Sequence, residues 1–209
     1  MDNIQPEITT IWDEAKAFVD QGNFNKAIEI YKYILIRYED NPIAVEYANA
    51  YLGDAYLTLR QLDRAEIHVK KAIGCNPTKP GYHYLLGFVN SIQSHWSKAI
   101  KEFELAVKAE PDNAEYLRGL GWAIFNVGYK LSGLEYLHKA NKLEPLSVNI
   151  LLDLANAYLI MLDFKKAKMY GKKALLIDPS YGLSCKVLDK IEEFHKMYRQ
   201  PRVRRKKDS

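Results

Sequence analysis

Between Gly128 and Gly133 the chain reads GYKLSG, two glycines at the spacing of a phosphate-cradling loop, but Leu134 stands where a lysine has to follow. A nucleotide loop is therefore excluded. His68, His83, His95, His138 and His195 contain no HxxxH or HExxH pair, so no helical face offers two imidazoles to a metal ion. Cys75 and Cys185 stand 110 positions apart with no CxxC pair, which suggests neither a disulfide framework nor a thiolate zinc site. Glu102 and Glu104 point to different sides of a helix within a charged run, an arrangement that does not pair a general acid with a general base. No catalytic residue, metal ligand or cofactor is expected. What remains is recognition chemistry, concentrated in EYLRGLGWAIFN, Glu115 to Asn126. There Leu117, Leu120, Gly121 and Ile124 make one apolar helical stripe, and Arg118, Trp122 and Phe125 make a second, about 100° around, that needs a partner.

The elements that would position such residues recur. Pro77, Pro111, Pro145 and Pro179 are each separated by 34 residues. Before each proline small residues return in register, Ala65, Ala99, Gly133 and Ala167, then Ala72, Ala106, Ala140 and Ala174. Upstream, Leu52-Gly53, Leu86-Gly87, Leu120-Gly121 and Leu154-Ala155 mark a further repeated place. Small residues at fixed positions let two antiparallel helices approach closely, and proline ends the second of them. An earlier copy, with Gly22, Phe24, Ala27 and Tyr31 in the same order, is displaced, because Ala27 to Ala65 is 38 residues. The four extra residues, close to one helical turn, are expected to lengthen the second helix of that first copy, with Ile28, Tyr31, Leu35 and Tyr38 on one face. After Pro179, Leu183, Val187, Ile191, Phe194 and Tyr198 recur at helical spacing among charges and predict a capping helix over 182–199.

This pattern resembles the tetratricopeptide repeat (TPR) family over nearly the whole chain. The resemblance implies an all-α fold, a right-handed α-solenoid of five helix pairs at 8–45, 46–79, 80–113, 114–147 and 148–181, plus the capping helix and a basic flexible tail at 200–209. It also implies a concave wall lined by the first helix of each pair. Carried over by register, that wall presents Trp12, Tyr47, Tyr84, Phe88, Arg118, Trp122, Phe125, Asn126, Leu152 and Asn156, with Thr9, Lys16 and Asp54 on the same stripe. A carboxylate clamp for acidic chaperone termini, known in this family, does not transfer: Ala50, Asp54, Gly81 and Tyr84 stand where its cations would, and Arg118 is the one central cation.

The function expected from the resemblance is a non-enzymatic, cytoplasmic scaffold or chaperone-like adaptor binding a partner protein or peptide in an aromatic-lined groove. Trp122 is expected to anchor an apolar side chain, beside Arg118 meeting a carboxylate. Two alternatives are a self-assembling homo-oligomer and a tail-mediated binder of nucleic acid or anionic membrane. Removing the last ten residues takes away five of the 30 Lys+Arg and one of the 26 Asp+Glu, which leaves 25 of each, so the positive excess is confined to the tail. The amino terminus lacks the basic-then-apolar layout of a secretory signal. The longest apolar stretch, 151–164, is interrupted by Asp153, Asn156 and Asp163 and is too short to cross a bilayer as a helix.

Overall fold

The computed structural model describes residues 6–199, and the tail expected at 200–209 lies outside the described residues. The chain divides into two compact units, Met1–Asp112 and Asn113–Ser209. The first holds α1 (Pro6–Asp20), α2 (Phe24–Arg37), α3 (Pro42–Thr58), α4 (Leu62–Cys75), α5 (Pro80–Ile92) and α6 (Trp96–Ala109). The second holds α7 (Ala114–Val127), α8 (Lys130–Leu143), α9 (Val148–Ile160), α10 (Phe164–Ile177) and α11 (Gly182–Arg199). Among the described residues there is no strand. Each odd-numbered helix from α1 to α9 packs on the helix that follows it, which gives five pairs and a last helix against α9 and α10.

Local chemistry sets the helix ends. Asn41 caps α3 by accepting hydrogen bonds from the Ile43 and Ala44 amides at 3.1 and 3.0 Å. Pro42 follows at the first helical position, where its missing N–H costs nothing. This cap places the extra helical turn differently from the expectation. α2 is 14 residues long, like α4 and α6, whereas α3 has 17. The four additional residues lengthen the first helix of the second pair, because a side-chain cap followed by proline starts a helix at 42.

Within pairs, glycine sets the approach. A Cβ on Gly87 would lie 2.7 Å from the Phe103 ring, and one on Gly121 would lie 2.9 Å from the Gly133 carbonyl oxygen and the Leu137 nitrogen. Between the helices of each pair, Gly22, Arg60, Ser94, Gly128 and Leu162 all take positive φ. At four of these turns the next residue's amide donates back to the helix, as Asn23 does to the Phe18 carbonyl at 2.8 Å and Asp163 to that of Tyr158 at 2.9 Å. This is the hydrogen bond that closes a helix through a left-handed residue. α11 buries Ser184, Val187 and Ile191, and Leu188 fills the space over Gly171 of α10. Leu183 and Tyr198, expected on its apolar face, are 48% and 60% exposed.

Candidate functional site

In the first unit a cavity of about 530 Å³ opens between α1, α2 and α3. α1 supplies Thr9, Trp12, Asp13, Lys16, Val19 and Asp20, a stripe stepping three or four residues at a time along one helical face. α3 supplies Tyr47, Tyr51, Asp54 and Ala55 on an equivalent stripe, and Phe24 and Tyr31 come from α2. The aromatic rings form one cluster. Trp12 lies 5.5 Å from Tyr31 and 5.3 Å from Tyr51, tilted against both. Tyr31 and Tyr51 stack at 5.3 Å, and Tyr47 extends the row to Tyr51 at 6.5 Å. Tyr31 is buried beneath the cluster, while Tyr51 is 43% exposed, so the rings make both a floor and a wall. Such tilted and offset contacts are the favourable geometries for aromatic pairs.

Electrostatics distinguishes this cavity from an ordinary apolar dent. Burial pushes the Tyr31 hydroxyl up to about 12, with Tyr51, Asp54 and Asp20 adding to the shift. Burial likewise raises Tyr51, helped by Tyr47 and Asp54. Loss of water around the Asp54 carboxylate raises its pKa above the ordinary carboxylate value. Among the described residues no group of three or more His, Cys, Asp or Glu side chains could hold a metal ion, so the three aspartates of this wall are not a cation-chelating cluster.

Of the residues expected to line a binding wall, Trp12 and Tyr47 meet in this cavity, as do Thr9, Lys16 and Asp54 from the same stripe. Tyr51 and Tyr31 were not expected there. Tyr51 was legible as the i+4 neighbour of Tyr47, but Tyr31 reads equally as the core aromatic of its helix. Elsewhere in the first unit Tyr84 stacks on Phe88 at 6.3 Å and tilts against Phe103 at 5.7 Å. Phe88 remains 38% exposed.

In the second unit the expectations divide. Trp122 is half-buried and stacks on Phe125 at 5.8 Å with the rings nearly parallel. Phe125 itself is 2% exposed and belongs to the core, not to an open face. The same repeat position is buried as Leu57 and Leu159, so it faces the helix contact in other pairs too, and here Gly133 of α8 lies directly against the Phe125 backbone and Cβ. Leu152 is also buried, because α9 is apolar apart from the stripe of Asn149, Asp153 and Asn156 and is packed by α7, α8, α10 and α11. Arg118, expected to meet a partner's carboxylate, contacts Glu115 at 2.8 Å and Asp153 at 2.8 Å. Burial pushes the Asp153 carboxyl up and the Arg118 guanidinium opposes that shift. The Asn126 amide donates to the Trp122 carbonyl at 2.7 Å, one turn back, and Asn156 is half-buried.

Comparison with known proteins agrees with the helix pairs. Two family models described as tetratricopeptide repeat match residues 13–80 and 148–181. The chain is 27% identical over 169 residues to the BBSome complex member BBS4 of Bos taurus, covering 80% of this chain and 31% of that protein. It therefore spans about a third of the length of this curated relative. Among solved structures, TTC0263, a thermophilic TPR protein of Thermus thermophilus, superposes with a TM-score of 0.72 at 17% identity over 90% of this chain and 98% of that one. YrrB, a TPR protein with an unusual peptide-binding site, superposes with a TM-score of 0.60 at 18% identity over 84% of this chain and 88% of that one. Residues 13–80 and 148–181 thus match tetratricopeptide repeats, and most of the chain has the fold of solved tetratricopeptide repeat proteins.

Proposed function

We propose that this protein is a non-enzymatic interaction scaffold that holds a segment of a partner protein in the aromatic cavity between α1, α2 and α3. The observation that carries the proposal is the cluster of Trp12, Tyr31, Tyr47 and Tyr51 around a cavity of about 530 Å³. That is a volume suited to side chains of a bound segment. Aromatic residues held in place by one another are effective binding anchors, because little conformational entropy is lost when a ligand meets them. TPR proteins in general bind protein or peptide partners, and the peptide-binding site named for the structural neighbour YrrB lies on a chain of the same fold.

Panning a displayed library of random dodecapeptides over the immobilised full chain tests this reading. Enrichment by the wild type that is lost with Trp12→Ala, in a variant whose helical circular dichroism is unchanged, supports it. Equal enrichment by both proteins, or none by either, overturns it.

A further inference from the structure

The nature of the bound segment follows from the charges around the cavity, and this step rests on the partner-binding reading above. Three carboxylates, Asp13, Asp20 and Asp54, line the space against one lysine, Lys16. None of the three forms an ion pair among the described residues. All three are exposed at the cavity wall, whereas half-buried acids elsewhere in the chain are engaged. Glu46 accepts from the Tyr82 hydroxyl and the Asn76 amide, Glu102 meets His83, and Asp153 meets Arg118. The rings show the same contrast. Lys32 and Arg64 lie over Tyr56 and Lys166 lies over Tyr158. Among the described residues no lysine or arginine is placed over Trp12, Tyr31, Tyr47 or Tyr51.

Ring faces attract cations through their quadrupoles, most strongly where water is partly excluded, and carboxylates add direct charge attraction. The space thus carries an acidic, aromatic surface on which three carboxylates face a single lysine. A metal ion is a poor occupant, because no group of acids here could hold one. An organic cation on an apolar stem suits both halves of the wall, since lysine and arginine lay their methylene chains along apolar surface while the head group stays polar.

We propose that the cavity between α1, α2 and α3 is a cation-recognition site that takes a lysine or arginine side chain of a partner protein. The ammonium or guanidinium meets Asp54 and the faces of Trp12 and Tyr51, and the stem, with an adjoining aliphatic residue, covers Val19, Phe24 and Ala55. Asp54 is exposed at the cavity wall and its pKa is raised, consistent with a carboxylate that lacks a counter-charge, which the bound cation supplies. Lys16 at the margin disfavours acidic segments and adds selectivity by repulsion.

The dodecapeptides enriched by the wild-type chain provide the probe. The expected result is enrichment of lysine or arginine beside an aliphatic residue. The best enriched peptide should bind at least about tenfold more weakly to the Asp13→Asn, Asp20→Asn, Asp54→Asn variant, the equivalent of about 1.4 kcal/mol, and more tightly to Lys16→Glu. Its affinity should also fall as salt is raised. If the enriched peptides are neutral or acidic and still require Trp12, the cavity binds peptides but the cation assignment is wrong. If nothing is enriched and light scattering shows that Trp12→Ala dissolves a self-assembly of the wild type, the cavity is an interface between copies and both readings fall. Should the triple variant lose helical circular dichroism, Asp54→Asn alone provides the comparison, and unchanged affinity in that variant overturns the proposal.

Discussion

Gly133 of α8 lies so close to Phe125 of α7 that a Cβ on the glycine would stand 2.6 Å from the Phe125 amide nitrogen and 2.7 Å from its Cβ. Neither atom can swing aside as a side-chain tip could. The equivalent positions elsewhere are Ala65, Ala99 and Ala167, so Gly133→Ala looks like a restoration of the repeat pattern. It is expected instead to destabilise the second unit by about 2 kcal/mol, within the range for overpacking a tight interface. Urea unfolding of variant and wild type, compared at equal slope, measures the difference. Gly74→Ala is the control, because a Cβ there meets nothing within 4 Å, and its expected effect is a gain of about 0.5 kcal/mol from helix propensity.

The turns between paired helices carry the opposite opportunity. Leu162 has a φ of 62° and is 44% exposed, a conformation that opposes its Cβ to the backbone. Glycine removes that strain and costs unfolded-state entropy, and the balance favours the folded state at left-handed helix ends. Leu162→Gly is expected to stabilise by about 0.5 kcal/mol or more, read as a rise in Tm.

Asp54 gives a pH dependence with a defined sign. Its folded pKa is raised by loss of water, so the folded protein holds this proton to higher pH than the unfolded chain does. Stability associated with the neutral form is complete below the unfolded value and is lost as pH rises through the folded value. Asp54→Asn keeps the site neutral throughout. The variant should therefore have a higher Tm than wild type at pH 7, with the gap closing as pH falls toward the ordinary carboxylate range. The same substitution should weaken binding of a basic peptide. Opposite effects on stability and affinity would mark Asp54 as a residue retained for binding.

Trp122 packs on a buried ring, not on an open patch. Trp122→Ala is accordingly expected to cost about 2 kcal/mol of stability, less than the range for a fully buried aromatic. Affinity for peptides selected by the wild type should not change. Paired urea titrations and fluorescence polarisation check both parts.

The helix pairs were legible because proline and small residues recur every 34 positions and each answers to a physical need at a helix contact or a helix end. The place of the extra turn was misread, because Asn41 followed by Pro42 starts α3 at 42 and the repeat register alone does not weigh that cap. The site was read less well. Register put Phe125 on an open face, yet the same repeat position is buried as Leu57 and Leu159, because it turns toward the helix contact and not toward the groove. Arg118 read as a free cation although Glu115, three residues back on the same helix, already engages it, and its second partner, Asp153, is 35 residues away on a different helix pair. Register brings Trp12 and Tyr47 to one wall and Tyr51 follows as the i+4 neighbour of Tyr47, whereas Tyr31 joins them through the packing of α1, α2 and α3.

The most direct measurement is where a bound peptide touches the protein. Titration of the best library peptide into the 15N-labelled full chain, followed by amide and indole shifts, reads this at every residue. The largest changes are expected at the Trp12 indole and at the amides of Tyr47, Tyr51 and Asp54. Changes concentrated around Trp122, Phe88 or the exposed faces of α11, with Trp12 unmoved at saturation, would contradict the assignment of the cavity as the binding site.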